Sequence, residues 1–217
     1  MSDFNDAEKN TYNQPMSGNQ MPRFAGPASF FRLPVQASAA GLDVALIGMP
    51  VDIGTSNRSG ARFGPREIRA ESVLIRPYGM ATRAAPFDSF QIADIGDVAV
   101  NPYNLLKTVA AIEAAIDDVM AAGAIPVSVG GDHTCTLPVL RAIAKTKGPV
   151  ALVHIDAHAD INDEMFGEKI AHGTVFRRAI EEGLIDTSKM FQIGLRATGY
   201  AADDFDWSRD QGATVIT

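Results

Sequence analysis

Short apolar runs alternate with amphipathic stretches along this chain. "LDVALIGMP" (42–50) is a compact apolar run closed by Gly48 and Pro50, the pattern of a strand buried on both faces. "GPREIRAESVLIR" (64–76) reads as a helix with Pro65 in its first turn. The clearest helix is "NPYNLLKTVAAIEAAIDDVMAAG" (101–123). Asn101 is its expected cap, Gly123 its stop, and Leu105, Leu106, Val109, Ile112, Ile116, Val119 and Met120 its apolar stripe. The same reading predicts strands over 89–97, 124–133, 149–158, 189–196 and 213–217, and helices over 137–148, 173–183 and 202–212. Strands that alternate with helices predict an α/β fold of three layers, α-β-α, around a mostly parallel sheet covered on both faces.

The remaining segments change this picture little. Residues 1–20 are polar, lack an apolar signal core and read as a flexible arm ahead of a domain over 21–217. "MPRFAGPASFFRLP" (21–34) mixes aromatics, Arg and Pro, and fits either a loop packed on its own domain or a contact with a neighbouring subunit. A net charge of −7 disfavours nonspecific binding to nucleic acid. No apolar run approaches the roughly 20 residues a membrane helix needs. The single cysteine, Cys135, excludes an internal disulfide and fits a reducing, cytoplasmic setting.

The chemistry is concentrated where two of the predicted strands end. In open α/β sheets, ligands bind at the carboxyl ends of strands. One strand runs into "GGDH" (130–133) and the next into "DAHAD" (156–160). Consecutive strands are candidate sheet neighbours, which would bring His133 beside Asp156, His158 and Asp160. In an extended stretch alternate side chains share a face, so the spacing of Asp156, His158 and Asp160 gathers them. Carboxylates and a histidine on one face repel or titrate unless a cation binds them. A set of oxygen and nitrogen donors without thiolate argues against a closed structural zinc site and favours harder divalent ions such as Mn²⁺, with Fe, Co, Ni and Zn left open. Asp156 has two oxygens and is able to bridge two ions about 3.5–4 Å apart. The plainer alternative is a set of satisfied polar residues at strand ends.

Three further features carry less. His172 in "IAHG" is either a residue flanking the 173–183 helix or a proton shuttle beside the metal, and in isolation the first reading prevails. "GTSNRSGARFGP" (54–65) is glycine-rich but lacks the Gly-Lys-Ser/Thr end of a phosphate loop, so it reads as a structural turn carrying arginines. Cys135 reads as a small packed residue rather than a nucleophile.

"GGDH", "DAHAD" and "IAHGTVFRRAIEEG", together with "GTSNRSGARFGPREIRAES", resemble the ureohydrolases: arginase, agmatinase and their guanidino-acid relatives. The similarity runs from about Pro22 to Thr217, with the motifs in the family's order, and lies closest to the agmatinase and guanidinobutyrase branch. It implies an arginase-like fold and hydrolysis of a guanidino compound, agmatine or 4-guanidinobutyrate, to an amine and urea. It implies two Mn²⁺ ions that activate water, and a homo-oligomer, trimer or hexamer. Carried over by position, His133 and Asp160 would bind the first ion, His158 the second, and Asp156 both. His172 would orient substrate and move protons to the leaving amine, and Asn162 would lie near the substrate tail.

Two elements of the family pattern have no counterpart within the 217 residues. One is a "SFDIDGLDP"-like segment with the remaining metal ligands. The other is a later glutamate that grips the guanidinium. The chain therefore reads as the first two-thirds of a ureohydrolase, with the expectation that this form is inactive and leaves a sheet edge uncovered after 213–217. The competing expectations are a non-catalytic ureohydrolase-like subunit and a metal-dependent deacylase on a related fold.

Overall fold

The computed structural model describes residues 12–217. The six strands among them are β1 (Val44–Met49), β2 (Ile92–Asp97), β3 (Ile125–Gly130), β4 (Val150–Ile155), β5 (Ile185–Ile193) and β6 (Thr214–Ile216). They alternate with helices α1 (Gly64–Glu71), α2 (Leu105–Ala121), α3 (Thr136–Lys147), α4 (Val175–Glu181) and α5 (Asp206–Asp210). All strand pairs are parallel, as the alternation predicts, and helices flank the sheets.

The strands form two three-stranded sheets, ordered β2-β1-β3 and β4-β5-β6. The expected pairing of the two motif-bearing strands is corrected by this topology: β3 pairs with β1, and β4 pairs with β5. The connection between them is made by a helix rather than a ladder. Helix α3 sends Leu137 and Leu140 into the core of the second sheet, against Val175, Phe176 and Met190. It sends Ala142 into the core of the first, against Ile47, Met49, Ile112 and Ile116. Among the described residues β3 and β4 each keep one edge without a strand partner. Ile125 and Val127 on β3, and Val153 and Ile155 on β4, are exposed. At the far side of the second sheet, β6 pairs with β5 alone among the described residues.

Strand β1 is buried on both sides, as its unbroken apolar run requires. Ile47 and Met49 meet α2, whereas Leu46 meets Phe30, Leu33, Phe87 and Ile92. Phe30 and Leu33 come from the 21–34 segment, which thus packs on its own domain, although Phe24 is almost fully exposed. A buried ion pair locks this layer. Arg69 of α1 donates from Nε and Nη2 to Asp94 of β2 at 2.7 and 2.9 Å, and Asp94 also accepts from Phe30 N at 2.9 Å. The polar segment ahead of it reaches the domain before residue 21: Asn13 Nδ2 donates to Ile92 O and Gln14 Nε2 to Phe87 O. Residues 1–11 of the expected arm lie outside the described residues.

Helix α2 begins at Leu105 instead of near Asn101, because Asn104 Oδ1 accepts the Lys107 N–H at 2.9 Å and caps it. Asn101 closes the preceding turn on Tyr103 N. The buried stripe keeps Val109, Ile112, Ile116 and Val119, while Leu106 faces out. Strand β4 stops at Ile155, three residues before its expected end, so Asp156 to Asp160 lie in a turn and not in an extended stretch.

Candidate metal centre

The "DAHAD" turn is built by its own first carboxylate. Asp156 Oδ1 accepts the backbone N–H of His158 at 2.9 Å, which bends the chain immediately after β4. Asp160 then takes a left-handed conformation (φ 51°), and its carbonyl accepts Phe176 N at the start of α4. The side chains therefore gather through a turn, not through the alternation of a strand.

His133 arrives from the other sheet. "GGDH" follows β3, and a short 3-10 helix, His133–Cys135, starts there with Asp132 as its cap: Asp132 Oδ1 accepts Thr134 N at 2.8 Å. The other Asp132 oxygen accepts Gly54 N at 2.9 Å, and Asp132 N donates to Val51 O at 2.7 Å. This fastens the loop after β1 to the loop after β3. Gly131 sits at φ 59°, and a Cβ there would meet Met49 O at 2.5 Å and Val51 O at 2.6 Å, so the approach requires glycine.

The result is a compact cluster. His133 Nδ1 lies 2.5 Å from Asp160 Oδ2 and 3.7 Å from Asp156 Oδ2. His158 Nδ1 lies 3.6 Å from the other oxygen, Asp156 Oδ1. His133, Asp156, His158, Asp160, Asn162 and His172 all line one cleft of about 730 Å³. Met165, Phe205 and Trp207 contribute apolar wall. Neither Asp156 nor Asp160 has a Lys or Arg partner among the described residues; their ion-pair-range partners there are imidazoles.

The electrostatics follow from this crowding. Burial works to lower the His133 pKa, but the hydrogen bond to Asp160 and the charges of Asp160 and Asp156 overcome it, and the net shift is upward. Burial works to raise the Asp156 pKa, and the His158 N–H with the neighbouring His154 and His133 brings it below the usual carboxylate range. His154, on β4, is held down by burial and then by His133. Carboxylate oxygens and imidazole nitrogens, with no thiolate and no competing ammonium or guanidinium, suit a divalent metal ion. Cys135 is buried and pushed up to about 12 by burial and by Asp132, so it remains a packed thiol.

His172 opens another short 3-10 helix, His172–Thr174, ahead of α4. Its backbone N donates to Gly54 O at 3.1 Å, and its Nε2 lies 3.0 Å from Ser56 Oγ. Asn162 is tied through its N and Nδ2 to Gly173 O at 3.0 and 3.1 Å. The glycine-rich 54–65 segment does act as a turn, with Asp52 accepting Gly60 N and the Arg62 guanidinium. It also supplies Ser56 to the cleft, which sequence reasoning missed. His154 and Gln192 were missed as well, and both are buried beneath the cluster.

A sequence model described as "Arginase family" matches residues 42–217. The chain is 63% identical over 212 residues to the guanidinobutyrase of Pseudomonas aeruginosa, a match covering 96% of this chain and 66% of that protein. It is 51% identical over 205 residues to the mitochondrial agmatinase of Gallus gallus, covering 94% and 60% respectively. Among solved structures, the proclavaminate amidino hydrolase of Streptomyces clavuligerus superposes with a TM-score of 0.85 at 40% identity, covering 90% of this chain and 65% of that one. The chain thus spans at most about two-thirds of the length of these relatives. No helix among the described residues is long and apolar enough to cross a membrane.

Proposed function

Because the chain belongs to the arginase family, we propose that it carries the His133, Asp156, His158 and Asp160 part of the binuclear Mn²⁺ centre of a ureohydrolase acting on a guanidino acid, 4-guanidinobutyrate before agmatine. The observation that carries this reading is the setting of Asp156. One of its oxygens faces His133 and the other faces His158, with Asp160 on the His133 side. A carboxylate so placed would be able to serve two ions, the first held with His133 and Asp160 and the second with His158. The substrate order follows the higher identity to the guanidinobutyrase than to the agmatinase.

A guanidinium is a poor electrophile because its charge is delocalised, and neutral water attacks it too slowly to be useful. Bound Mn²⁺ supplies the charge that lowers the pKa of a water toward neutrality. The residues of this chain do the rest. The acidic cleft draws a cationic group toward Asp156 and Asp160. His172, on the cleft wall, is placed to pass a proton to the departing amine, its ring held by Ser56 Oγ on Nε2 and its backbone by Gly54 O. Asn162, fixed on Gly173 O, offers its amide near the substrate tail. The apolar wall of Met165, Phe205 and Trp207 excludes water beside the aliphatic chain.

The test is urea release by a full-length form, one that includes the later ligand segment and glutamate, with Mn²⁺ and 4-guanidinobutyrate, agmatine or 3-guanidinopropionate, alongside acetate release from N-acetylated amines. Urea from 4-guanidinobutyrate in preference to agmatine is the expected result. Urea mainly from agmatine overturns the substrate order, and acetate without urea replaces the reading with a deacylase.

A further inference from the structure

One compact group of donor atoms at the centre contains a residue from outside the motif. Ligand atoms of His133, His154 and Asp156 lie within 4.8 Å of one another. Donor chemistry alone would therefore make His154 a third imidazole ligand, alongside or in place of His158.

The hydrogen bonds beneath the site point elsewhere. Gln192 of β5 is fully buried. Its Nε2 donates to Ala159 O at 2.8 Å, which identifies that atom as the amide nitrogen, since a carbonyl takes a bond only from a donor. The second hydrogen of the same nitrogen goes to His154 Nδ1 at 3.1 Å. His154 Nδ1 is thus an acceptor, and in the neutral ring the proton sits on Nε2. A nitrogen that carries a proton has no lone pair for a metal. His154 Nε2 has no other hydrogen-bond partner among the described residues, is shielded from solvent, and lies 3.5 Å from Asp156 Oδ2. The ring also stays out of the cleft that His133, Asp156, His158 and Asp160 line. It is wedged against Phe176 at 4.2 Å and His133 at 5.4 Å between ring centres.

We infer that His154 is a positioning residue for the metal centre proposed above, a buried Nε2–H donor set by Gln192 and aimed at Asp156 Oδ2, and not a ligand. At 3.5 Å the approach is not a closed hydrogen bond, and a small shift of the carboxylate on binding a metal would close it. The donor then fixes which way the bridging carboxylate presents its oxygens, and it gives the buried N–H the partner it lacks. Gln192, Ala159 O and His154 form the chain that holds it.

The chain has four histidines, His133, His154, His158 and His172, so ¹⁵N-histidine labelling gives a spectrum assignable with single variants. Long-range ¹H–¹⁵N spectra are recorded at neutral to mildly basic pH during titration with Zn²⁺, a diamagnetic probe for the same donor types. The expected result is a His154 ring protonated on Nε2 before and after the metal, while His133 and His158 acquire metal-bound nitrogens. A metal-bound Nε2 at His154, or a proton on its Nδ1, overturns the positioning role and leaves the metal centre standing. No metal response at His133 and His158 overturns the centre and the inference with it. In parallel, His154→Phe keeps the ring packing and removes the donor. Its Mn²⁺ stoichiometry should be unchanged and its affinity lowered about 10–100-fold, the usual effect of losing an outer-shell partner. A folded variant with unchanged affinity also overturns the proposal.

Discussion

Replacing Asp94 with Asn keeps the shape of the side chain and removes the charge on which a whole layer of the domain rests. Asp94 is 1% exposed and accepts Arg69 Nε at 2.7 Å, Arg69 Nη2 at 2.9 Å, Phe30 N at 2.9 Å and Gly96 N at 2.9 Å. An amide has one acceptor oxygen and an NH₂ that must face at least one of these donors, so the pairing cannot be rebuilt. Hydrogen bonds to charged groups contribute about 1.5–3 kcal/mol each, and stripping one partner from a buried pair costs about 3–5 kcal/mol. Among the described residues, the carboxylate that Arg69 keeps is Asp97, whose side chain is 41% exposed. The expected loss for Asp94→Asn is therefore about 3–5 kcal/mol, against about 0–1 kcal/mol for Asp97→Asn as the exposed control. Chemical denaturation at neutral pH measures both. Burial alone would raise the Asp94 pKa, but the Arg69 hydrogen bonds and the Phe30 and Gly96 N–H groups outweigh it and set it below the ordinary 3.8. A depressed folded pKa means that the stabilisation is complete well above pH 3.8 and is lost as pH falls from there through the lower folded value. The gap between wild type and Asp94→Asn should accordingly narrow below pH 3.8. A loss under about 1 kcal/mol, or a gap that widens in acid, would refute the reasoning.

The other predictions concern the site. Asp156→Ala should remove more Mn²⁺ per chain than Asp160→Ala in metal analysis, because it strips a carboxylate that faces both sides of the centre; equal losses would mean that Asp156 serves a single ion. In a full-length form, His172→Asn should leave metal content intact and lower urea release by roughly 10²-fold, the scale of general acid–base catalysis; metal loss would make His172 a ligand instead. Gly131→Ala should destabilise the fold and weaken metal binding together, since its Cβ would push on Met49 O and Val51 O beside His133; a stable, fully metal-competent variant would show that the loops are free to shift.

How much of this was legible in the sequence depends on how local each cause is. The apolar run of β1 and the stripe of α2 declare themselves because burial is written at successive positions. The helix start was misplaced because Asn101 and Asn104 are both capable caps, and only the Lys107 N–H decides between them. The first half of β5 was missed because Asp186, Ser188 and Lys189 look like a loop, whereas they satisfy one another on an exposed stretch of strand. The split into two sheets was not legible, since no local pattern says that α3 will bridge two cores.

The site divides in the same way. "DAHAD" concentrates its donors within five residues, so even a wrong account of the backbone, extended instead of turned, still gathers them. Ser56 meets His172 across 116 positions and Gln192 meets His154 across 38. Serine and glutamine are unremarkable in composition, and their importance lies in the partner alone. His154 stands two residues before "DAHAD" and reads as one more position of the apolar strand β4. Its meaning rests on which nitrogen holds a proton, and that is settled by an amide on the neighbouring strand. Residues that touch a metal or a substrate are constrained in type and spacing, so a motif records them. Residues that orient those ligands are constrained only by where the fold delivers a donor, so the structure must be consulted to find them.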